Sequence, residues 1–265
     1  MAEGDRRLRL GEALPATAAG VAHAWRGGWG AIALSAAIWS LRPWVPQTAR
    51  PVWLVVAVVA AVILCGALAR LTVAGDDEAA RGLGLGPFGL QLKELELRLV
   101  GALALCGVFM TMILAVAALA LLAVFGMADL NAEAIRLGRW AEVGPAWKLA
   151  LLALLTLAIL YGVVVLAVRL SLFAPATAGR GHMVSLNSMG IAQGGFRSLL
   201  ADLLLSAAPG LGLLLLWNAG RLSGAGGWAV AAVVLNAVQA PATLAFLGAA
   251  YRRLEYWTPE GGAHG

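Results

Sequence analysis

Apolar residues run along this chain in long blocks, and the charged residues gather between them. From Pro51 to Ala69 there is no charge, and Arg50 and Arg70 bracket the block. From Leu99 to Ala128 there is again none. A helix needs about 20 residues to cross a hydrocarbon core of about 30 Å. Bracketing each block by its flanking charges gives six expected spans, at about 27–45, 51–69, 99–128, 149–173, 199–219 and 222–251. The fifth carries Asp202 near its start and Pro209, Gly210 and Gly212 in its middle. A proline there removes one backbone donor and crowds the preceding turn, so a kink or break is expected near Ser206. The alternative makes 197–208 an interfacial helix.

Between the blocks the pattern turns amphipathic. Leu10, Leu14, Ala18, Val21 and Trp25 share one helical face and are followed by Arg26. This predicts a helix lying on the membrane surface within a cytoplasmic interfacial segment, 1–26, with Pro15 in its first turn; a loosely ordered tail is the alternative. QLKELELRL should carry the third helix back to about Gln91, with Glu94 and Arg98 placed to pair at four residues' spacing. The segment 128–147 predicts a short helix lying flat, with Trp140 and Trp147 at the interface. The segment 174–196 predicts a short cytoplasmic helix before the fifth span. The fold class expected is therefore all-α, an integral membrane six-helix bundle with short amphipathic interfacial helices.

Composition narrows the class further. Of 265 residues, 61% are hydrophobic and 12% charged, about half the usual globular share. Too few charges remain to cover so much apolar surface in water. Together with a mean hydropathy of +0.85, this excludes a soluble domain, a disordered chain and a nucleic-acid-binding module, despite the net charge of +5. The bases decide orientation. With six spans, thirteen lie in the segments on the N-terminal side and six on the other. The positive-inside rule then puts both termini, including the tail 252–265, in the cytoplasm of a bacterium with the body in the inner membrane. No small-residue cleavage site follows the first block before Arg42, so no cleavable signal is expected.

Candidate chemistry is sparse. His23, His182 and His264 have no metal-ligand spacing, and Cys65 and Cys106 lie singly inside apolar blocks. Gly84, Gly86 and Gly89 match G-x-G-x-x-G, but they follow a membrane helix and Pro87 intrudes, so the match fails as a nucleotide site. Asp202 is the one acid at membrane depth. It reads as an anchor in the first turns of its helix, forming a buried ion pair with Arg197 or Arg169; an ion site is the alternative. Asn236, Gln239 and Thr243 fall at i, i+3 and i+7 on the sixth helix, and Pro241 frees the carbonyl of Ala237 beside them. This polar face either bonds neighbouring helices or lines a substrate cavity.

Two functions from different classes follow. The first is a non-enzymatic scaffold or accessory subunit, with no cofactor, no metal and no catalytic residues. The second is a small carrier or lipid-handling protein that uses the polar face of the sixth helix. The lipid bilayer is the expected environment, other membrane proteins or a second copy are the candidate partners, and nucleic acid is not one.

Three stretches carry a resemblance: LGEAL before a Trp-containing segment, GLGPFGLQLKELELRLVG, and RLSLFAPATA followed by SLNSMGIAQGGFRSLLADLLL. They resemble bacterial, mainly alphaproteobacterial, multi-pass inner-membrane proteins of unknown function. That family is similar in pattern to the membrane portion attached to some glycerophosphoryl diester phosphodiesterases. Its loop before the fifth span is matched by Ser188, Gly194 and Phe196, while Met189 and Ala192 depart from it. The phosphodiesterase catalytic domain is absent, so the resemblance implies a membrane fold and no catalytic residues.

Overall fold

The computed structural model describes residues 10–139, 142–192 and 195–254, apart from the side chains of 10–14 and 202. Among these residues the only regular secondary structure is helical, with no strand. Five helical stretches are long and apolar enough to cross a membrane: Gln47–Ala74, Pro87–Met127, Ala146–Arg180, Phe196–Asn218 and Gly224–Leu254. Trp140 and His264 lie outside the described residues.

The first helix, α1 (Leu10–Ser40), is 31 residues long and unbroken. The surface helix and the first span expected from the sequence are thus one element, and Pro15 sits inside it instead of opening it. By composition α1 does not join the five, because His23, Arg26 and four glycines dilute its apolar half. Those glycines have a packing role. A Cβ at Gly20 would lie 3.1 Å from the Cβ of Ala245, and one at Gly27 would overlap Leu71. Small residues let helices approach closely where lipid supplies no hydrophobic drive between them.

Helix α2 (Arg50–Ala74) lies against α1. Contacts run from Gly27 against Leu71 to Trp53, whose Nε1 donates to the Ile38 carbonyl at 3.0 Å. The loop after α2 holds α3 (Asp77–Gly82), which Asp76 caps by accepting from the Ala79 amide at 2.7 Å. A 3₁₀ turn, Pro87–Gly89, follows. Helix α4 (Glu94–Met127) starts three residues later than expected. The reason is local: the Glu96 carboxylate accepts from the Lys93 amide at 2.8 Å, the reciprocal half of a capping box.

By its contacts the chain forms two units, Met1–Ala104 with Val168–Gly265, and Leu105–Ala167. The second unit holds the C-terminal part of α4, the short α5 (Ala132–Arg136) and most of α6 (Ala146–Leu170). Its loop is closed by Asn131, which caps α5 through the Ala134 amide and donates its own amide to Val143 at 3.0 Å. Met112, Val116, Leu119, Leu122, Leu154 and Leu157 are all exposed on its helices. In water such a surface would aggregate; in a bilayer it is solvated by lipid chains.

In the first unit, α6 is followed by α7 (Phe173–Arg180) and α8 (Ser188–Ile191). Helix α9 (Phe196–Asn218) carries Pro209 but runs unbroken, so the break expected near Ser206 is absent. Pro209 removes only one donor, and at membrane depth a continuous helix leaves the fewest unpaired backbone groups. The last stretch is irregular. It consists of α10 (Gly224–Val233), a π-helical turn over Val234–Gln239 and α11 (Ala240–Leu254). The Ala240 amide donates to the Leu235 carbonyl, five residues back. Pro241 explains the wider turn: its ring would clash with a carbonyl four residues back, and the extra residue moves that carbonyl away. The buried core of this unit lies where α2, α7 and α11 meet, around Leu172, Ala176, Phe246, Ala250 and Tyr251.

Candidate functional site

The π turn lies beside a cavity of about 380 Å³ within the first unit. Trp39 on α1, Ala61 on α2, Trp217 on α9 and Trp228, Leu235 and Asn236 on the last helical stretch line it. The indoles are fixed by one another and by the backbone. Trp228 Nε1 donates to the Trp39 carbonyl at 2.7 Å, the Trp217 and Trp228 rings meet edge to face at 6.3 Å, and the Arg42 guanidinium lies 4.9 Å over the Trp228 ring. Trp39 also packs edge to face on Trp53 at 5.4 Å. Indole N–H groups seek partners away from water, so the bond to Trp39 sets how the Trp228 ring presents its face to the cavity.

Asn236 is the polar group in this wall. Its Oδ1 accepts from the buried Ser35 hydroxyl on α1 at 2.7 Å, and its Nδ2 donates to the Ala232 carbonyl at 2.8 Å. An amide offers two N–H donors and two lone pairs on oxygen. Among the described residues, one of each remains uncommitted on Asn236. The arrangement can hold an apolar body against aromatic faces and one polar group against the amide.

The other residues singled out from the sequence fall elsewhere. Gln239 lies against Gly210 on α9, whose missing side chain makes room for it, and its buried Oε1 has no hydrogen-bond partner. Thr243 is half-buried on α11 and does not line the cavity. Arg197 is exposed, and Arg169 Nε is buried without a partner among the described residues. The side chain of Asp202, and with it the expected pair with either arginine, lies outside the described residues. Glu94 and Arg98 do pair, at 2.7 Å, in an exposed position where such bridges contribute little.

Among the described residues a buried ion pair lies at a second place, which sequence reading missed. Arg70 at the end of α2 and Glu96 in the first turn of α4 form a two-pronged pair with side-chain exposures of 1% and 0%. The pair is fully bonded. Arg70 Nε donates to the Leu83 carbonyl, Gln91 Nε2 donates to Glu96, and Gln91 Oε1 accepts from the Gly86 amide. The glycine-rich loop is thereby stitched to both helices. Its glycines serve approach and turning: Gly84 and Gly89 have φ of 88° and 77°, and Gly89 packs against Gly28 and Ala67. The signal available in the sequence was Gly66, one turn before Arg70, which leaves the space that the Glu96 carboxylate fills.

Among the described residues no group of three His, Cys, Asp or Glu side chains could hold a metal. Compared with protein-family models, curated proteins and solved structures, the chain matches none.

Proposed function

We propose that this chain is a bacterial inner-membrane protein that holds a lipid-class amphiphile in the tryptophan-lined cavity, a binding role and not an enzymatic one. The observation that carries the reading is the cavity itself: three fixed indoles, and an amide with one donor and one acceptor to spare, beside a π turn. π-Turns inside helices occur often at functional sites. We further propose six crossings with both termini in the cytoplasm, counting α1 as the first. Its support is the run of contacts along α2, from Gly27 at Leu71 to Ile38 at Trp53, since a helix packed along a span lies at the same depth. The thirteen-to-six division of bases supports the orientation. A reporter fused after Gly265 should be active only in its cytoplasmic form; periplasmic activity there would remove one crossing.

A second reading, a scaffold or accessory subunit, is favoured by the Ser35–Asn236 bond, which joins α1 to the last helical stretch as interhelical glue. One experiment separates the two. The full chain purified in mild detergent should carry lipid detectable by native mass spectrometry. Ala61→Phe, which fills the cavity from α2, should strip most of that lipid while leaving the melting temperature within about 2 °C, as for a tolerated large side chain at an open wall. If the filled variant keeps its lipid, the cavity reading is lost and the scaffold reading stands.

A further inference from the structure

A second pocket, of about 490 Å³, lies between the end of one crossing stretch and the start of the next. Arg26 and Trp29 on α1, Asp77 and Arg81 on α3, and Phe88 in the glycine-rich loop surround it. We propose that this pocket takes the phosphate of an anionic phospholipid headgroup. The proposal does not rest on the tryptophan-lined cavity, which none of these residues touches.

The charged groups favour an anion. Arg81 is exposed and its side chain has no hydrogen-bond or ion-pair partner among the described residues, so its whole fork of donors is open. Among the described residues Arg26 commits only its Nε, to the Ala22 carbonyl at 3.3 Å, and keeps both terminal nitrogens. Guanidinium groups match phosphate oxygens in pairs, which suits them to this ligand above a point charge. Asp77 opposes an anion, but its carboxylate is turned toward His23, with Nδ1 3.6 Å from Oδ1, and it sits in the first turn of α3.

The aromatic wall favours a lipid over free phosphate. The Trp29 and Phe88 rings meet at a tilt of 59° with centroids 5.1 Å apart, yet both stay about half exposed. Phe88 holds this place with φ of 57°, a backbone conformation rare outside glycine, because Gly30 has no side chain where the Phe88 Cβ lies. Free phosphate gains nothing from such rings. A headgroup with its glycerol and first methylenes does, since amphipathic rings settle at headgroup level. The pocket's place between Ala74 and Pro87, the ends of two crossing stretches, puts it at that level. Basic pockets between membrane helices are suited to anionic headgroups.

The test uses the full chain in mild detergent, loaded with phosphatidylglycerol or phosphatidylcholine, with retained lipid read by native mass spectrometry. The wild type should retain phosphatidylglycerol preferentially. Arg81→Gln, at an exposed side chain with no partner, should cut that retention roughly tenfold, the scale of one lost charge-assisted bond. Asp77→Asn should raise it, so the two variants move in opposite directions and a folding defect cannot mimic both. Ala61→Phe should leave the headgroup preference intact, which keeps this result separate from the cavity result. Equal retention by Arg81→Gln and the wild type overturns the proposal. Displacement of the lipid by millimolar inorganic phosphate would make the occupant a soluble anion and overturns it as well.

Discussion

Glu96→Gln is expected to destabilise the folded protein by roughly 3–5 kcal/mol, read as a large fall in the temperature at which detergent-purified protein loses monodispersity. The substitution keeps the shape but removes the negative charge and turns one acceptor oxygen into an N–H donor that faces other donors. Arg70, 1% exposed, is then a buried cation with no counter-charge. Arg70→Met should act in the same direction by stranding the carboxylate. The double replacement, Arg70→Met with Glu96→Leu, should recover a large part of the loss, because exchanging a whole buried pair for apolar side chains is often near neutral. Recovery will stop short of the wild type. Glu96 also accepts from the Lys93 amide and from Gln91, and losing a helix cap costs about 1 kcal/mol. The internal control stands two residues away. Glu94→Gln breaks the exposed bridge to Arg98 and should cost under about 1 kcal/mol. Equal, small effects from Glu94→Gln and Glu96→Gln would show that the pair does not anchor the loop.

That pair also marks how far the sequence could be read. Four of the five crossing stretches stand out as uncharged blocks, since lipid selects on hydropathy summed over a helix and this needs no knowledge of neighbours. The fifth stretch, Phe196–Asn218, carries Asp202. Helix α1 was only partly legible for the opposite reason. Its glycines and single polar residues are explained by Leu71, Ala245 and Phe88, which lie elsewhere in the chain. Charges at block ends are normally left to the interface, so Arg70 reads only as a block boundary and nothing in the pattern pairs it with Glu96. Their meeting depends on a turn of the loop between them that hydropathy does not encode. Prolines signalled irregularity without its kind: Pro209 leaves its helix unbroken, while Pro241 follows a π turn. The polar positions on the last stretch were legible as polar and intramembrane. Their partners, Ser35 for Asn236 and the space at Gly210 for Gln239, were not.

Gly248→Val is expected to cost roughly 1–3 kcal/mol, the usual range for overpacking, and to loosen α11 from α2. Gly248 is fully enclosed, and a Cβ built on it would lie 2.9 Å from the backbone carbonyl carbon of Thr72, with the Thr72 side chain closer still. A flexible neighbour could swing away, but a helix backbone cannot, so the two helices must part. Parting them has a second consequence. Arg252, one turn further along α11, donates to the Thr72 carbonyl, and Thr72 Oγ1 donates to the Leu68 carbonyl at 2.7 Å within α2. Displacing α11 breaks the first bond and leaves the second intact, so the damage should stay at the interface. Gly248→Ala should show a smaller loss of the same kind, and Thr72→Ala combined with Gly248→Ala should recover part of it by removing the hydroxyl that crowds the new group, while the Thr72 Cβ and backbone keep the rest. Gly212, with open space at its Cβ position, is the matched control: Gly212→Val should leave the melting temperature nearly unchanged. If Gly248→Val and Gly212→Val melt together, the close approach of α2 and α11 is not what holds this end of the bundle.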